Sequence, residues 1–162
     1  MKIKAIFFMI SIFFPTVLFA STATCPLVNG INVHTTKRIL NICKQGAVIK
    51  SFRVAIGYKG VGKKRAGDNK TPIGLYRLAY PRKSTKFKVF IPILYPTSKQ
   101  LAAGYTGRDV GIHGPAQSAS LFNWLNNLPY STRGCIAVGK NNYIEYVANW
   151  VKANPGTKVL II

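Results

Sequence analysis

Hydrophobic and polar residues alternate along much of the chain after residue 26, which is the pattern of half-buried β-strands. The turn-forming pair Asn29-Gly30 precedes the alternating residues Ile31 and Val33. Further turns separate two longer runs, from Arg38 to Cys43 and from about Val48 to Ile56. The sequence therefore predicts β-hairpins at the start of the domain.

Glycine and proline dominate the middle of the chain. Residues 57–70 form a basic, glycine-rich loop, and four prolines punctuate the stretch that follows. Proline lacks a backbone donor and disrupts a helix interior, so strands there should be short and helices are disfavoured. These prolines are Pro72, Pro81, Pro92 and Pro96.

Two later segments have apolar residues at helical spacing. The first runs from about Ala119 to Leu128, and the second from about Asn142 to Lys152. Asn154-Pro155-Gly156 ends the second helix, and residues 157–162 predict a final, buried strand. Together these elements indicate a β-dominated α+β domain.

The N-terminus differs from the rest of the chain. Two lysines precede an apolar run from Ala5 to Ala20, which is shorter than the roughly 18 to 20 residues that span a bilayer. Small residues follow, as in a secretory signal peptide, so we expect residues 1–23 to be a signal cleaved after Ala20 or Ala23. An uncleaved anchor is the alternative. Residues 24–162 should form a single exported domain in the periplasm or cell wall.

The charge balance is strongly basic. The chain has 23 Lys and Arg residues against 3 acids, for a net charge of +20. The acids, Asp68, Asp109 and Glu145, are far apart in sequence, which disfavours both a catalytic carboxylate pair and a carboxylate-rich cation site. Outside the cytoplasm this charge indicates attraction to an anionic wall surface rather than to nucleic acid.

The segment Ser131–Cys135 is the strongest candidate for chemistry. Gly134 lets the backbone approach a substrate closely, and the neighbouring Arg133 would favour the thiolate form of Cys135. A nucleophilic thiol needs a base, and the chain has only two histidines. His34 follows a strand at a polar turn, whereas His113 lies between glycines. Cys135 and His113 are therefore the candidate nucleophile and base, with two structural residues as the alternative.

Two other motifs are weaker. Residues 57–64 approach a phosphate-binding loop, but Lys64 stands where Ser or Thr should hold magnesium, and no helical pattern begins there. The histidines, cysteines and acids show no metal-ligand spacing. We expect neither a metal nor another cofactor.

Two ordered motifs resemble the catalytic domain of the L,D-transpeptidases of bacterial cell walls. His113-Gly114 is followed by 16 residues and then by Ser131-Thr132-Arg133-Gly134-Cys135, as in that family. Upstream, the stretch Gly67–Tyr76 (GDNKTPIGLY) is similar to a second family motif. The resemblance covers about Asn29 to Ile162, and it implies a small β-sandwich or barrel with two short helices near the active site.

The resemblance also implies a mechanism on peptidoglycan stem peptides. Cys135 would attack the carbonyl of the third residue, usually diaminopimelate, and His113 would protonate the departing D-alanine. The carbonyl of Gly114 would orient His113, and backbone N–H groups around Gly134 and Cys135 would hold the oxyanion. The residues expected to contact substrate are Ser131, Thr132, Arg133 and Tyr76. A monomer without a cofactor is expected.

Two departures from the family pattern bear on the acyl acceptor. Arg133 stands where many members have His, and Ala137 stands where many have an Arg placed to meet a substrate carboxylate. Transfer to an amine is the favoured reaction. Hydrolysis on the same fold, by an L,D-carboxypeptidase or a cross-link-cleaving enzyme, is the alternative. A basic wall-binding protein without catalysis is the third hypothesis.

The three cysteines of an exported chain leave one odd thiol. Cys25 and Cys43 bracket the first hairpins, so strand pairing could bring them within bridging distance and leave Cys135 free. Two reduced, buried thiols are the alternative.

Overall fold

The computed structural model describes residues 25–117 and 130–162. Within these residues, nine strands follow one another in a single mixed sheet, and a tenth joins it beside the third. The strands are β1 (Gly30–His34), β2 (Ile39–Lys44), β3 (Ala47–Gly57), β4 (Gly74–Arg77), β5 (Arg82–Ser84), β6 (Lys88–Pro92), β7 (Gly111–His113), β8 (Tyr130–Thr132), β9 (Ile136–Val138) and β10 (Lys158–Ile161). Their order is β4-β10-β1-β2-β3-β9-β7-β6-β5, with β8 beside β3. The β-dominated α+β class expected from the sequence is confirmed.

The predicted hairpins lie at the centre of this sheet. β1, β2 and β3 are antiparallel neighbours, and β10 adds in parallel to β1. Ile31 and Val33 are fully buried, as their alternation predicts. The last strand, β10, therefore pairs with the first, β1, and this pairing joins the two ends of the domain.

A disulfide joins Cys25 to Cys43, which confirms the bridged alternative. Cys43 is opposite Gly30 in the register of β1 and β2. The side-chain amide of Asn32 donates to the Cys43 sulfur at 3.0 Å and to the Leu27 carbonyl at 3.0 Å. The bridge therefore fixes the segment before β1 onto β2, and among the described cysteines only Cys135 is a free thiol.

The short strands β7 and β9 pair in parallel, and β9 also pairs with β3 in the antiparallel sense. Ile112 lies opposite Ile136, and both side chains are completely buried. His113 is the last residue of β7, and Cys135 directly precedes β9. Sheet pairing thus brings together two residues that are 22 positions apart in sequence.

Two helices occur in the described residues, α1 (Ser98–Ala102) and α2 (Asn141–Ala153). The second was predicted with nearly the same limits, whereas the segment 119–128, predicted to be helical, lies outside the described residues. Helices were expected to be disfavoured in the proline-rich stretch, and α1 was therefore not predicted. This helix begins two residues after Pro96, where Thr97 and Gln100 form a reciprocal capping box.

Helix α2 packs its apolar side chains against the sheet close to the candidate site. Its buried residues are Ile144, Val147, Ala148 and Val151. Ile144 lies directly against Gly114, the residue after β7. Neither described helix is long and apolar enough to cross a membrane.

Candidate active site

Cys135 and His113 both line one cleft of about 560 Å³ at the ends of β7 and β9. One wall comes from the hairpin of β5 and β6, which contributes Phe87 and Phe90. The opposite wall comes from the segment before β9, with Thr132 and Arg133. The structure therefore brings the candidate nucleophile and the candidate base to the same open space.

His113 is held in place by a backbone carbonyl and by an aromatic ring. Its Nδ1 lies 2.6 Å from the carbonyl oxygen of Gly114, which can only accept a hydrogen bond, so Nδ1 carries the proton. Nε2 is then the nitrogen that can accept a proton. The Phe87 ring stacks on the imidazole at a centroid distance of 3.7 Å and an angle of 20°. Together these contacts fix both the tautomer and the plane of the ring.

Burial keeps this imidazole neutral. The side chain of His113 is only 5% exposed. Burial lowers the pKa of His113 to about 4, and the positive charge of Lys86 lowers it further, while the hydrogen bond to Gly114 acts in the opposite direction. At neutral pH the ring is therefore a free base.

The position of Gly114 depends on the packing of α2. A Cβ atom at Gly114 would come within 2.7 Å of the Cγ2 atom of Ile144. Only glycine lets the backbone approach the helix this closely while its carbonyl accepts the hydrogen bond from His113. The core contact of α2 therefore determines where the imidazole sits.

Cys135 is half-buried at the mouth of the cleft, with its sulfur 3.7 Å from the carbonyl oxygen of Asp109. Burial raises the pKa of the Cys135 thiol and outweighs the opposite effects of the Gly111 backbone and of two nearby lysines. The sequence-based expectation that Arg133 favours the thiolate is therefore wrong for this structure. Desolvation dominates, and the resting thiol is protonated.

The turn before Cys135 corrects another expectation. The backbone N–H of Gly134 donates to the Thr132 hydroxyl at 3.1 Å, and that hydroxyl donates to the Cys135 carbonyl at 2.7 Å. The Gly134 N–H is therefore already engaged and is not available to an oxyanion. Among the described backbone and side-chain atoms no hydrogen bond takes the N–H of Cys135, which is the donor left for that role. The hydroxyl of Thr132, expected to contact substrate, instead closes the turn.

Gly134 is required for a different reason. Its φ is +119°, and a Cβ atom there would lie 2.6 Å from the carbonyl oxygen of Lys70. The loop 57–71 thus packs directly behind the turn that presents the thiol.

Asp68 organises that loop. Its carboxylate accepts from the buried ammonium of Lys63 at 2.8 Å and from the backbone N–H groups of Lys64, Arg65 and Lys70. Burial alone would raise the pKa of Asp68, but these hydrogen bonds hold the pKa well below its usual range. The carboxylate stays ionised and fixes the Lys70 backbone against Gly134.

A second hollow of about 830 Å³ also borders Cys135. It is lined by Tyr58, Lys63 and Arg108 among others, and it shares Asp109, Arg133 and Cys135 with the first cleft. The exposed side chain of Arg133 therefore borders both spaces.

Two other residues predicted to contact substrate, Tyr76 and Ser131, do not line the cleft with any side chain that the structure describes. Tyr76 is 3% exposed, its hydroxyl donates to the Ile73 carbonyl at 2.7 Å and accepts from Gln100 at 2.9 Å, and its ring packs on Tyr95. The expectation that Tyr76 contacts substrate is therefore wrong, because the residue belongs to the core. The backbone of Ser131 lies in β8, but its side chain lies outside the described part.

Phe87 and Asp109 were not among the predicted site residues. Both line the cleft, yet nothing in their local sequence distinguishes them from other loop residues. Asp68 lies within the GDNKTPIGLY stretch that is similar to a family motif, and this similarity was the signal in the sequence that pointed to Asp68. No three His, Cys, Asp or Glu side chains in the described segments come close enough to hold a metal ion.

The family model of the L,D-transpeptidase catalytic domain (YkuD) matches residues 29–161. The chain belongs to this family. The match spans both the thiol-bearing turn and the histidine strand of this L,D-transpeptidase domain, and also the loop around Asp68. No curated protein matches the sequence.

Solved structures with the same fold include other members of the family. The helical cell shape determining protein Pgp2 from Campylobacter jejuni is 24% identical, with a TM-score of 0.67, over 86% of this chain and 50% of that chain. Bd1075 from Bdellovibrio bacteriovorus is 22% identical, with a TM-score of 0.61, over 88% of this chain and 52% of that one. An L,D-transpeptidase from Xylanimonas cellulosilytica is 18% identical, with a TM-score of 0.51, over 86% and 63%. This L,D-transpeptidase domain spans about half the length of the first two.

The stacking of Phe87 on His113 generates a prediction that needs no substrate. Replacing Phe87 with alanine exposes the imidazole to water, so the pKa of His113 should rise from about 4 toward its ordinary value of 6.5. The pKa is measured by NMR titration of the ring protons in a His34→Gln background, which leaves one histidine. Phe87→Tyr preserves the stack and should keep the low pKa. An unchanged pKa in Phe87→Ala would show that the ring does not desolvate His113.

Proposed function

We propose that this protein is an exported cysteine L,D-transpeptidase that acts on the stem peptides of peptidoglycan. The observation that carries the proposal is the cleft that both Cys135 and His113 line, with the Nδ1 of His113 held by the Gly114 carbonyl. A thiol, a neutral imidazole and a fixed tautomer are what acyl transfer through a thioester requires.

Because both groups rest in their neutral forms, proton transfer accompanies the attack. The Cys135 sulfur forms a bond to the carbonyl carbon of the third stem residue, and Nε2 of His113 takes the thiol proton. The carbonyl oxygen becomes an oxyanion, which the N–H of Cys135 stabilises. When the tetrahedral intermediate collapses, the C–N bond breaks, and the D-alanine amine leaves with the proton from His113. The product is a thioester on Cys135.

The second hollow supports amine transfer as the resolving step. An acceptor peptide in that space could reach the thioester while the donor peptide occupies the first cleft, because both hollows border Cys135. The acceptor amine bonds to the thioester carbon and loses a proton, and the sulfur leaves as the Cys135 thiol. The cations Arg108 and Arg133 around the hollow suit an acceptor that carries carboxylates.

Hydrolysis is the second candidate, and one feature of the cleft favours it. Ala137 lines the cleft opposite His113 in the register of β7 and β9. Many members of the family have an Arg at this position, so a carboxylate anchor is missing here. Weaker retention of peptide would leave water as the acceptor and make the protein an L,D-carboxypeptidase or a cross-link-cleaving enzyme.

The remaining parts of the proposal concern location and organisation. We infer that residues 1–23 are a signal peptide and that residues 24–162 act as one catalytic domain, monomeric, in the periplasm or cell wall. The disulfide between Cys25 and Cys43 supports export, because such bonds persist in oxidising compartments.

The first test removes the nucleophile. Cys135→Ala should abolish turnover of tetrapeptide muropeptides, while its free energy of unfolding stays within about 1 to 2 kcal/mol of the wild type because the volume change is small. Products are weighed by mass spectrometry. His113→Gln should be nearly as inactive, and His34→Gln serves as the control that keeps activity. Product formation by Cys135→Ala would contradict the proposed mechanism.

The second test concerns Arg133, which we propose holds a substrate carboxylate with two parallel hydrogen bonds. Lysine cannot reproduce that fork, so Arg133→Lys should lose about 1.5 to 3 kcal/mol of transition-state binding. This corresponds to a decrease in kcat/KM of about 10- to 150-fold. Arg77→Lys, on the exposed side of β4, is the matched control. Equal kcat/KM for Arg133→Lys and the control would remove Arg133 from the site.

The third test separates transfer from hydrolysis. Purified tetrapeptide muropeptide is incubated with the protein at increasing concentrations of an acceptor peptide that cannot itself be a donor. Transfer predicts cross-linked dimers whose yield rises with acceptor concentration, because the amine competes with water for one thioester. Tripeptide alone, at a rate independent of acceptor, would assign the protein to the hydrolases.

A further inference from the structure

A basic groove of about 780 Å³ lies apart from the two hollows at Cys135. It runs between the turn that joins β1 to β2, the outer half of β3 and the start of α2. Five of its eleven lining residues are cations, and none of the eleven borders Cys135 or His113's cleft. The cations are Lys37, Arg38, Lys50, Arg53 and Lys140.

No Asp or Glu is among the residues that line the groove. The chain has only three acidic residues, and all three lie elsewhere. Asp68 is engaged with Lys63, Glu145 forms an ion pair with Lys88 at 2.6 Å, and Asp109 borders Cys135. The groove therefore has a positive potential along its whole length, and no acidic side chain competes with an anionic ligand.

The shape of the groove favours a linear ligand over a flat surface. The cations come from three different elements, with Lys37 in the turn between β1 and β2, Lys50 and Arg53 in β3, and Lys140 at the start of α2. Phe52 and Tyr143 also line the groove, and their ring centroids are 5.1 Å apart. A bilayer surface cannot enter such a concavity, whereas an extended chain can lie along it beside cations from all three elements.

We propose that this groove binds a linear polyanion whose charges are phosphate esters repeated along the chain. Five positive charges so close together repel one another, and a ligand with several regularly spaced charges relieves that repulsion better than a peptide with isolated carboxylates. The guanidinium group of Arg53 can bind phosphate oxygens in a two-pronged arrangement. The proposal does not depend on the catalytic reaction.

The position of the groove relative to the Cys135 thiol indicates what polyanion binding would do for the domain. Cys135 directly precedes β9, and Gly139 and Lys140 directly follow it. Four strand steps of about 3.3 Å separate Cys135 from Gly139, or about 13 Å along the chain. A polymer in the groove would hold the domain at an anionic wall and leave both hollows open to peptides.

The test compares two variants that each remove two positive charges. Lys50→Gln/Arg53→Gln alters the groove, and Lys99→Gln/Lys158→Gln alters exposed lysines on α1 and β10. Binding to inorganic polyphosphate of about ten units is measured by calorimetry at several salt concentrations, with folding checked by thermal melting. Lys37→Gln/Lys140→Gln provides a second groove variant if the first one melts early.

We expect the groove variant to bind polyphosphate at least tenfold more weakly than the wild type, and the control to change less than twofold. The slope of log K against log salt should become shallower by about 1.5 for the groove variant, because two phosphate contacts are lost. Turnover of small muropeptides should be the same in both variants.

An equal loss of polyphosphate affinity in both variants would indicate diffuse electrostatic attraction and would overturn the proposed binding site. Equal binding of polyglutamate of matched charge would overturn the assignment to phosphate. A loss seen only on phosphatidylglycerol vesicles would assign this face to a membrane instead.

Discussion

The parallel pairing of β7 with β9 is the contact on which the candidate site depends. It is secured by two completely buried isoleucines, Ile112 and Ile136, that lie opposite each other. His113 is the last residue of β7, and Cys135 directly precedes β9. The buried contact between the two strands therefore positions both residues, although no bond joins them. Packing of α2 against Gly114 then positions His113, and packing of the Asp68 loop against Gly134 positions Cys135.

Burial gives this pair its chemical character. It lowers the pKa of His113 and raises the pKa of Cys135, so both shifts favour the uncharged forms. Both shifts therefore disfavour an ion pair of thiolate and imidazolium. The driving force for proton transfer must come from the bond that forms to the substrate carbonyl. The aromatic rings of Phe87 and Phe90 contribute to this environment by excluding water from the imidazole.

Local patterns predicted most of the fold and the central pair of the site. β1 to β3 alternate, α2 has an uninterrupted apolar face, and Cys135 and His113 stand out because suitable partners are so few. The errors arise where long-range contacts decide. Tyr76 lies on the buried face of a four-residue strand, and the Gly134 N–H is engaged only once the turn has folded around Thr132. Phe87 meets His113 only through the pairing of β5, β6 and β7, which no local spacing indicates.

The contact between Gly134 and the Lys70 carbonyl ties two distant segments into one rigid unit. A residue with any side chain at position 134 would need the opposing loop to withdraw, and the loop is anchored by an ionised carboxylate with four hydrogen-bond donors. The two segments can therefore change in evolution only together, whereas a side chain at Gly46 would meet no neighbouring atom within 4 Å and is opposed only by the positive φ of that residue. New substrate preferences in this scaffold should consequently arise from the walls of the two hollows and not from the turn that carries the thiol.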